Sequence, residues 1–259
     1  MGGVGVSGSR LTVTQRQESC WSCGQVEGEI METVEAELEA LEVVAVGTFH
    51  PGVVQPSWLA RQSFIPDTEA DSANVIVITN DITQFTTEWF TVEVLAERIR
   101  VITQLNSYAL PLRDLVVGLL RELPEIRVTA FGINHSAHLK LDSEEVWHRV
   151  GHRMAPKKFW ERVVGDPLTA NVTIQGKRES GHKGVVNLSL QPSTRVPFGI
   201  FLSSNDHYDL IDSESKSSGE VAAELLSQEY EGSLERSYAF FKALLDYAVE
   251  AKEAGRDAE

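Results

Sequence analysis

The longest unbroken alternation in the chain, Ile126 to Leu141 (IRVTAFGINHSAHLKL), constrains the fold more than any other stretch. A period of two over that length fits a strand, because successive side chains on a strand point to opposite faces. Phe131, Ile133, His135, Ala137, Leu139 and Leu141 share one face, and Asn134, Ser136, His138 and Lys140 share the other. Beyond it, Asp142 with Glu145 three residues on predicts a capped helix that ends before Pro156. A second short helix should follow, with Phe159, Trp160, Val163 and Val164 as its buried stripe.

Blocks of similar pattern lie on either side. Leu41 to Phe49 reads as a first strand, and Asn74 to Thr79, Phe85 to Val94 and Ile99 to Thr103 as a three-stranded meander. Leu112, Leu115, Val116 and Leu119 then fall at helical spacing until Pro124. Leu168 to Gln175, Val185 to Leu190 and Phe198 to Ser204 form a second meander, with a polar linker over Ile211 to Gly219. Two closing helices follow, broken at Gly232-Ser233, and the last residues from Lys252 should fray.

The expected fold class is α+β: two mainly antiparallel meander-plus-helix halves, about 41–125 and 126–259, pseudo-duplicated and joined by the central strand and its helices. Residues 1–40 read as a disordered or non-native leader, Gly- and Ser-rich before Met31 and Glu-rich after it, and 41–259 as a single domain. Glu37, Glu39 and Glu42 read as part of a solvated acidic face.

No apolar run approaches the ~20 residues that span a bilayer, and no apolar signal segment opens the chain, so a cytoplasmic location is expected. The net charge of −15 disfavours general nucleic-acid binding, which needs Lys and Arg against phosphates. That charge is uneven. Ile126 to Val185 holds 6 acidic and 10 basic residues (+4), whereas Asp206 to Glu259 holds 14 acidic and 5 basic (−9). Complementary regions of this kind favour a protein partner or self-association. Cys20 and Cys23 lack the second pair or the histidines of a zinc site.

Chemistry has one candidate centre. His148 and His152, four apart on a helix, project from one face as a metal-binding pair does. Asp206 and His207 could complete a site for a divalent metal that activates water, the basis of a metal-dependent hydrolase. The glutamate that follows the first histidine in metalloprotease helices is missing, and Arg149 and Arg153 would repel a cation. His135, on the apolar face, reads as a hydrogen-bonded core residue, and His182 as the solvated tip of a hairpin. Arg149, Arg153, Lys157, Lys158 and Arg162 form a basic cluster suited to an interaction surface or, alternatively, to an accessory contact with nucleic acid.

Gly47-Thr-Phe-His-Pro-Gly52, Phe85-Thr-Thr-Glu-Trp-Phe90, Phe131-Gly-Ile-Asn134, Asn205-Asp-His-Tyr208 and the helix with Phe240-Phe241 together resemble a sporadically distributed bacterial family of unknown function, over Glu42 to Ala251. The resemblance implies an α+β protein and lends no activity or site residue. A patterned fold without an assembled catalytic signature points to a non-enzymatic interaction or assembly component, with the metal-dependent hydrolase as the competing expectation.

Overall fold

The structure, a computed structural model, describes residues 36–123, 125–178, 181–210 and 218–249. The leader up to residue 35, the linker at 211–217, part of the 176–184 turn and the last residues from 250 lie outside them.

The central strand, β6 (Arg127–Lys140), forms where the alternation places it, and hydrogen-bonds to a strand on each edge. One neighbour is β1 (Ala36–Thr48) and the other β9 (Gly199–Asp209), both antiparallel to it. β1 carries on its far side β5 (Arg98–Thr103), β4 (Thr91–Leu95), β3 (Ile82–Thr86) and β2 (Asn74–Ile78). β9 carries β8 (Gly184–Pro192) and β7 (Val172–Lys177). The result is one nine-stranded antiparallel sheet, ordered β2-β3-β4-β5-β1-β6-β9-β8-β7.

Alternation divides the sheet into a covered and an uncovered face. Leu41, Val43 and Ala45 of β1 and Phe131, Ile133, His135 and Ala137 of β6 are buried on one side. Two short helices, α1 (Pro56–Arg61) and α2 (Asp67–Ser72), α3 (Ala109–Glu122), α4 (Glu144–Met154) and α5 (Ser218–Val249) pack on that side. The opposite face is polar, and a row of amides crosses it. Gln175 donates to Asn187 (2.9 Å), Asn187 to Asn205 (3.1 Å), and Asn205 to Asn134. Glu42 of β1 then accepts from Arg100 of β5.

Four expectations change. β1 begins at Ala36, so the leader expected over 1–40 gives way to strand five residues earlier. The Glu-rich start is only partly a solvated face, since Glu39 and Glu42 accept from His135 and Arg100. The strand expected over Phe85–Val94 breaks into β3 and β4 around a turn in which Thr87 N–H donates to Phe90 O (2.8 Å). Phe85 and Phe90, five apart, would face opposite sides of a continuous strand, and the turn lets both reach the core, ring centroids 6.3 Å apart. Finally, the two closing helices are one. α5 runs 32 residues straight through Gly232-Ser233, because the cost of a mid-helix glycine, ~1 kcal/mol, is small beside the apolar area the helix buries.

The cap of α4 also shifts, from Asp142 to Ser143, whose hydroxyl accepts the Val146 N–H (3.3 Å). Among the described residues, no helix is long and apolar enough to cross a membrane.

A close backbone approach fixes the end of β1. A Cβ on Gly47 would lie 1.9 Å from the Arg127 carbonyl oxygen, at the point where the β1–β6 register shifts. Gly47→Ala is therefore expected to lower stability by about 3 kcal/mol, read as a reduced urea midpoint with an unchanged slope.

Candidate functional site

The four residues of the expected metal set do not converge. α4 is fastened over one end of β9 by the Trp147 indole N–H, which donates to Gly199 O (3.0 Å). Asp206 lies seven residues farther along the same strand, roughly 23 Å away at an extended rise. His207, adjacent to Asp206, points to the uncovered face, where its Nε2 meets Asp209 (3.2 Å). His148 and His152 do line one narrow cleft, but they share it with Lys157, whose ammonium donates to Gly151 O between them. A lysine there opposes a bound cation. Among the described residues, no three His, Cys, Asp or Glu side chains gather as metal ligands would.

Asp206 has a different role. It is buried beneath α5 with both carboxylate oxygens taken by guanidinium groups. Arg178, from just beyond β7, donates through Nε to Oδ1 (2.8 Å), and Arg236 of α5 donates to Oδ2 (2.6 Å). The Arg178 side chain is buried too, its Cζ 3.5 Å from the centre of the Tyr208 ring, which stacks on Phe131 at 4.7 Å. Burial alone would raise the Asp206 carboxyl, but hydrogen bonds from Arg236 and Arg178, together with their charges, outweigh it and hold the group below the usual carboxylate range. Glu229 closes the cluster, accepting from Tyr208 (3.1 Å) and meeting His182 at 3.5 Å. Arg178 is therefore clamped onto the sheet, and the described part of the 176–184 turn is not a free hairpin arm.

A second buried set joins β1, β6 and α5. His135 contacts Glu39 through Nε2 and Ser237 through Nδ1, both at 2.5 Å. A serine, a histidine and a carboxylate in line suggest a nucleophile and its base, but Ser237 and His135 are fully buried, out of reach of a substrate. Ser237 Oγ also lies 2.7 Å from Leu234 O, which competes with the ring for its one proton. Tyr238 adds a bond to Glu39 (2.7 Å). Burial would raise the Glu39 carboxyl, and the bonds from His135 and Tyr238 bring it below its ordinary value.

The basic cluster does not form one free surface. Arg149 is paired with Glu145 (3.0 Å), Arg153 donates to Tyr247 O and lies over the Tyr247 ring, and Lys157 is buried against Gly151 and Thr169. Lys158 and Arg162 stay exposed. The expected short helix there is a single 3-10 turn, Trp160–Arg162, and its apolar residues face outward. Phe159, Trp160, Val163, Val164 and Leu168 are 50–66% exposed. Periodicity put them in a core, yet among the described residues no sheet or helix face covers them. Ile174 on β7, the next strand, is 60% exposed.

The chain matches no protein-family model, and a search of curated proteins returns no match. The site must therefore be read from its own geometry.

Removing the Asp206 charge should leave the buried Arg178 guanidinium unneutralised beneath α5. Asp206→Asn is expected to cost about 3–5 kcal/mol near neutral pH. Because the folded carboxyl titrates below its unfolded value of 3.8, its contribution is complete above that value and lost as pH falls through the folded one. Unfolding curves of the two proteins should converge in strong acid and separate above pH ~4.

Proposed function

We propose that this chain is a non-enzymatic interaction component that binds an extended, acidic and apolar segment of a partner protein along β7 and the 157–168 segment. One observation carries the reading: five large apolar side chains stand exposed within ten residues, immediately before an edge strand that pairs on one side only among the described residues. Contiguous apolar surface beside a free edge is the usual setting for strand addition by a partner.

The two edges of the sheet differ. β2 also exposes Val75 and Ile76, but a register irregularity interrupts its pairing between Val75 and Val77, and Asp67, Glu69, Asp71 and Asp81 flank it. Irregularity and like charge are the ordinary protections of an edge. β7 pairs with β8 without interruption over six residues. Its surroundings carry exposed Lys158, Arg162 and Lys177 beside exposed Glu161 and Asp166, a slightly basic margin within a chain of net charge −15. Charge complementarity thus favours an acidic partner segment over the same face of a second copy.

A duplicated architecture belongs to the same reading. β1 pairs with the last strand of its half and β6 with the last strand of the other, and a long helix follows each, α3 after β5 and α5 after β9.

The test is selection from a random peptide library against the full chain and against a Phe159→Ser/Val163→Ser variant. Selected peptides should be apolar with acidic residues and should bind the variant at least tenfold more weakly, with affinity falling as salt rises. Peptides of other composition, or ones indifferent to the double substitution, would overturn the proposal. Dimerisation that light scattering detects in the wild type and not in the variant would replace it with self-association.

A further inference from the structure

Among the described residues, buried cationic side chains are answered by carboxylates, with one exception. Arg178 has Asp206 and His135 has Glu39. Lys157 is 7% exposed, and among the described residues no acidic side chain reaches it. A lysine so enclosed is ordinarily paired, because a buried charge without a counter-charge is costly. Both of its contacts are neutral. The ammonium donates to Gly151 O (3.3 Å) and to Thr169 Oγ1, whose own proton goes to Gly151 O (2.6 Å). One N–H of the ammonium is left without an acceptor among the described residues. Burial with no acid to offset it holds the Lys157 amine below its ordinary value.

Lys157 also lines a cleft of 490 Å³, a volume in the range of binding sites. Trp160, Val164 and Leu168 supply its apolar wall, and Asp166 lines it too, exposed and unpaired with Lys157 among the described residues. Asn171, the residue before β7, belongs to the same cleft. A segment laid along β7 therefore runs past it.

We infer that one side-chain carboxylate of the partner segment enters this cleft and pairs with the Lys157 ammonium, with apolar neighbours against Trp160, Val164 and Leu168. The inference rests on the proposed partner binding and adds to it the contact that fixes the segment's register. Lys158 and Arg162 are exposed, and an acid that meets them stays solvated and contributes little. An acid on Lys157 loses its water, and removing one member of a desolvated pair weakens binding strongly.

Peptides selected against the full chain test this when each acid is neutralised in turn (Asp→Asn or Glu→Gln) and the C-terminus is amidated. Calorimetry compares wild type, Lys157→Met and Lys158→Met. At one acidic position, neutralisation should weaken binding roughly tenfold or more in wild type and in Lys158→Met, and by no more than about twofold in Lys157→Met. Amidation should change nothing. Thermal midpoints check that the variants fold, and Lys157→Gln supplies the same comparison should Lys157→Met not fold. Peptides that bind and depend on Phe159 and Val163, neither of which lines the cleft, but show no acid coupled to Lys157 would overturn this inference and leave the partner reading standing. Loss on amidation that Lys157→Met abolishes would overturn it in favour of a terminal carboxylate. A library that yields no such peptide would overturn both.

Discussion

The pairing of β6 on both edges sets most of what lies elsewhere. β6 is joined to β1 over nearly its whole length and to β9 over eleven consecutive positions, Ala130–Asp209 to Lys140–Gly199. Once its apolar face is committed to the helices, parity places the residues of β9, and those of β1 between its two register shifts, as well. His135 must lie under α5 and His138 on the uncovered face. Tyr208, opposite Phe131, must be buried, while His207, opposite Gly132, must not. A metal set that combined Asp206 with His207 was incompatible with that parity from the start.

Parity also forces charge into the core. Glu39 follows the face of Leu41 and Val43, and Asp206 that of Leu202 and Tyr208, so both carboxylates arrive where apolar side chains belong. Each is answered from α5, and from three consecutive residues. Arg236 reaches Asp206, Ser237 reaches His135, and Tyr238 reaches Glu39. A helix held only by apolar contacts can slide or rotate with modest loss, whereas one that must neutralise a fixed carboxylate cannot. Buried pairs of this kind add little net stability, and their best-attested effect is to specify one arrangement over others. The middle of α5 is thus pinned in register, and the continuous helix across Gly232 follows. The helix has to run from the apolar cluster under β1–β5 to the one under β8 and β9, and both packing clusters include its side chains.

Much of the fold was legible where period and burial agree. The bounds of β6, the strand character of β1, β2, β5, β8 and β9, and the apolar stripe of α3 can be read from alternation or helical spacing alone. The failures share a cause: spacing records which residues could share a face and not whether the face is covered. Phe159, Trp160, Val163 and Val164 have helical spacing, yet the chain makes one 3-10 turn there and leaves them exposed. The buried ion pairs had a signal that was available, an Asp or Glu at a core-parity position of a strand. Their partners had none, because Arg178 lies in a turn indistinguishable by composition from a solvated hairpin.

The same sheet accounts for why exposed apolar area collects at its β7 end. α3 and α5 cover its middle, and α4 extends the cover only over Leu190 and Ile200 of β8 and β9. β7 lies one strand beyond, so Ile174, on the covered-face parity of Leu188, is left exposed by the described helices. A sheet wider than its helical layer leaves apolar area at the margin, and a chain under no other constraint would place Lys or Glu there. At β2 the margin is irregular and flanked by acids. At β7 it is regular and continues into the outward-facing residues of 159–168. The contrast between two edges of one sheet, in one chain, supports the proposal of a partner surface over mere incompleteness of the core.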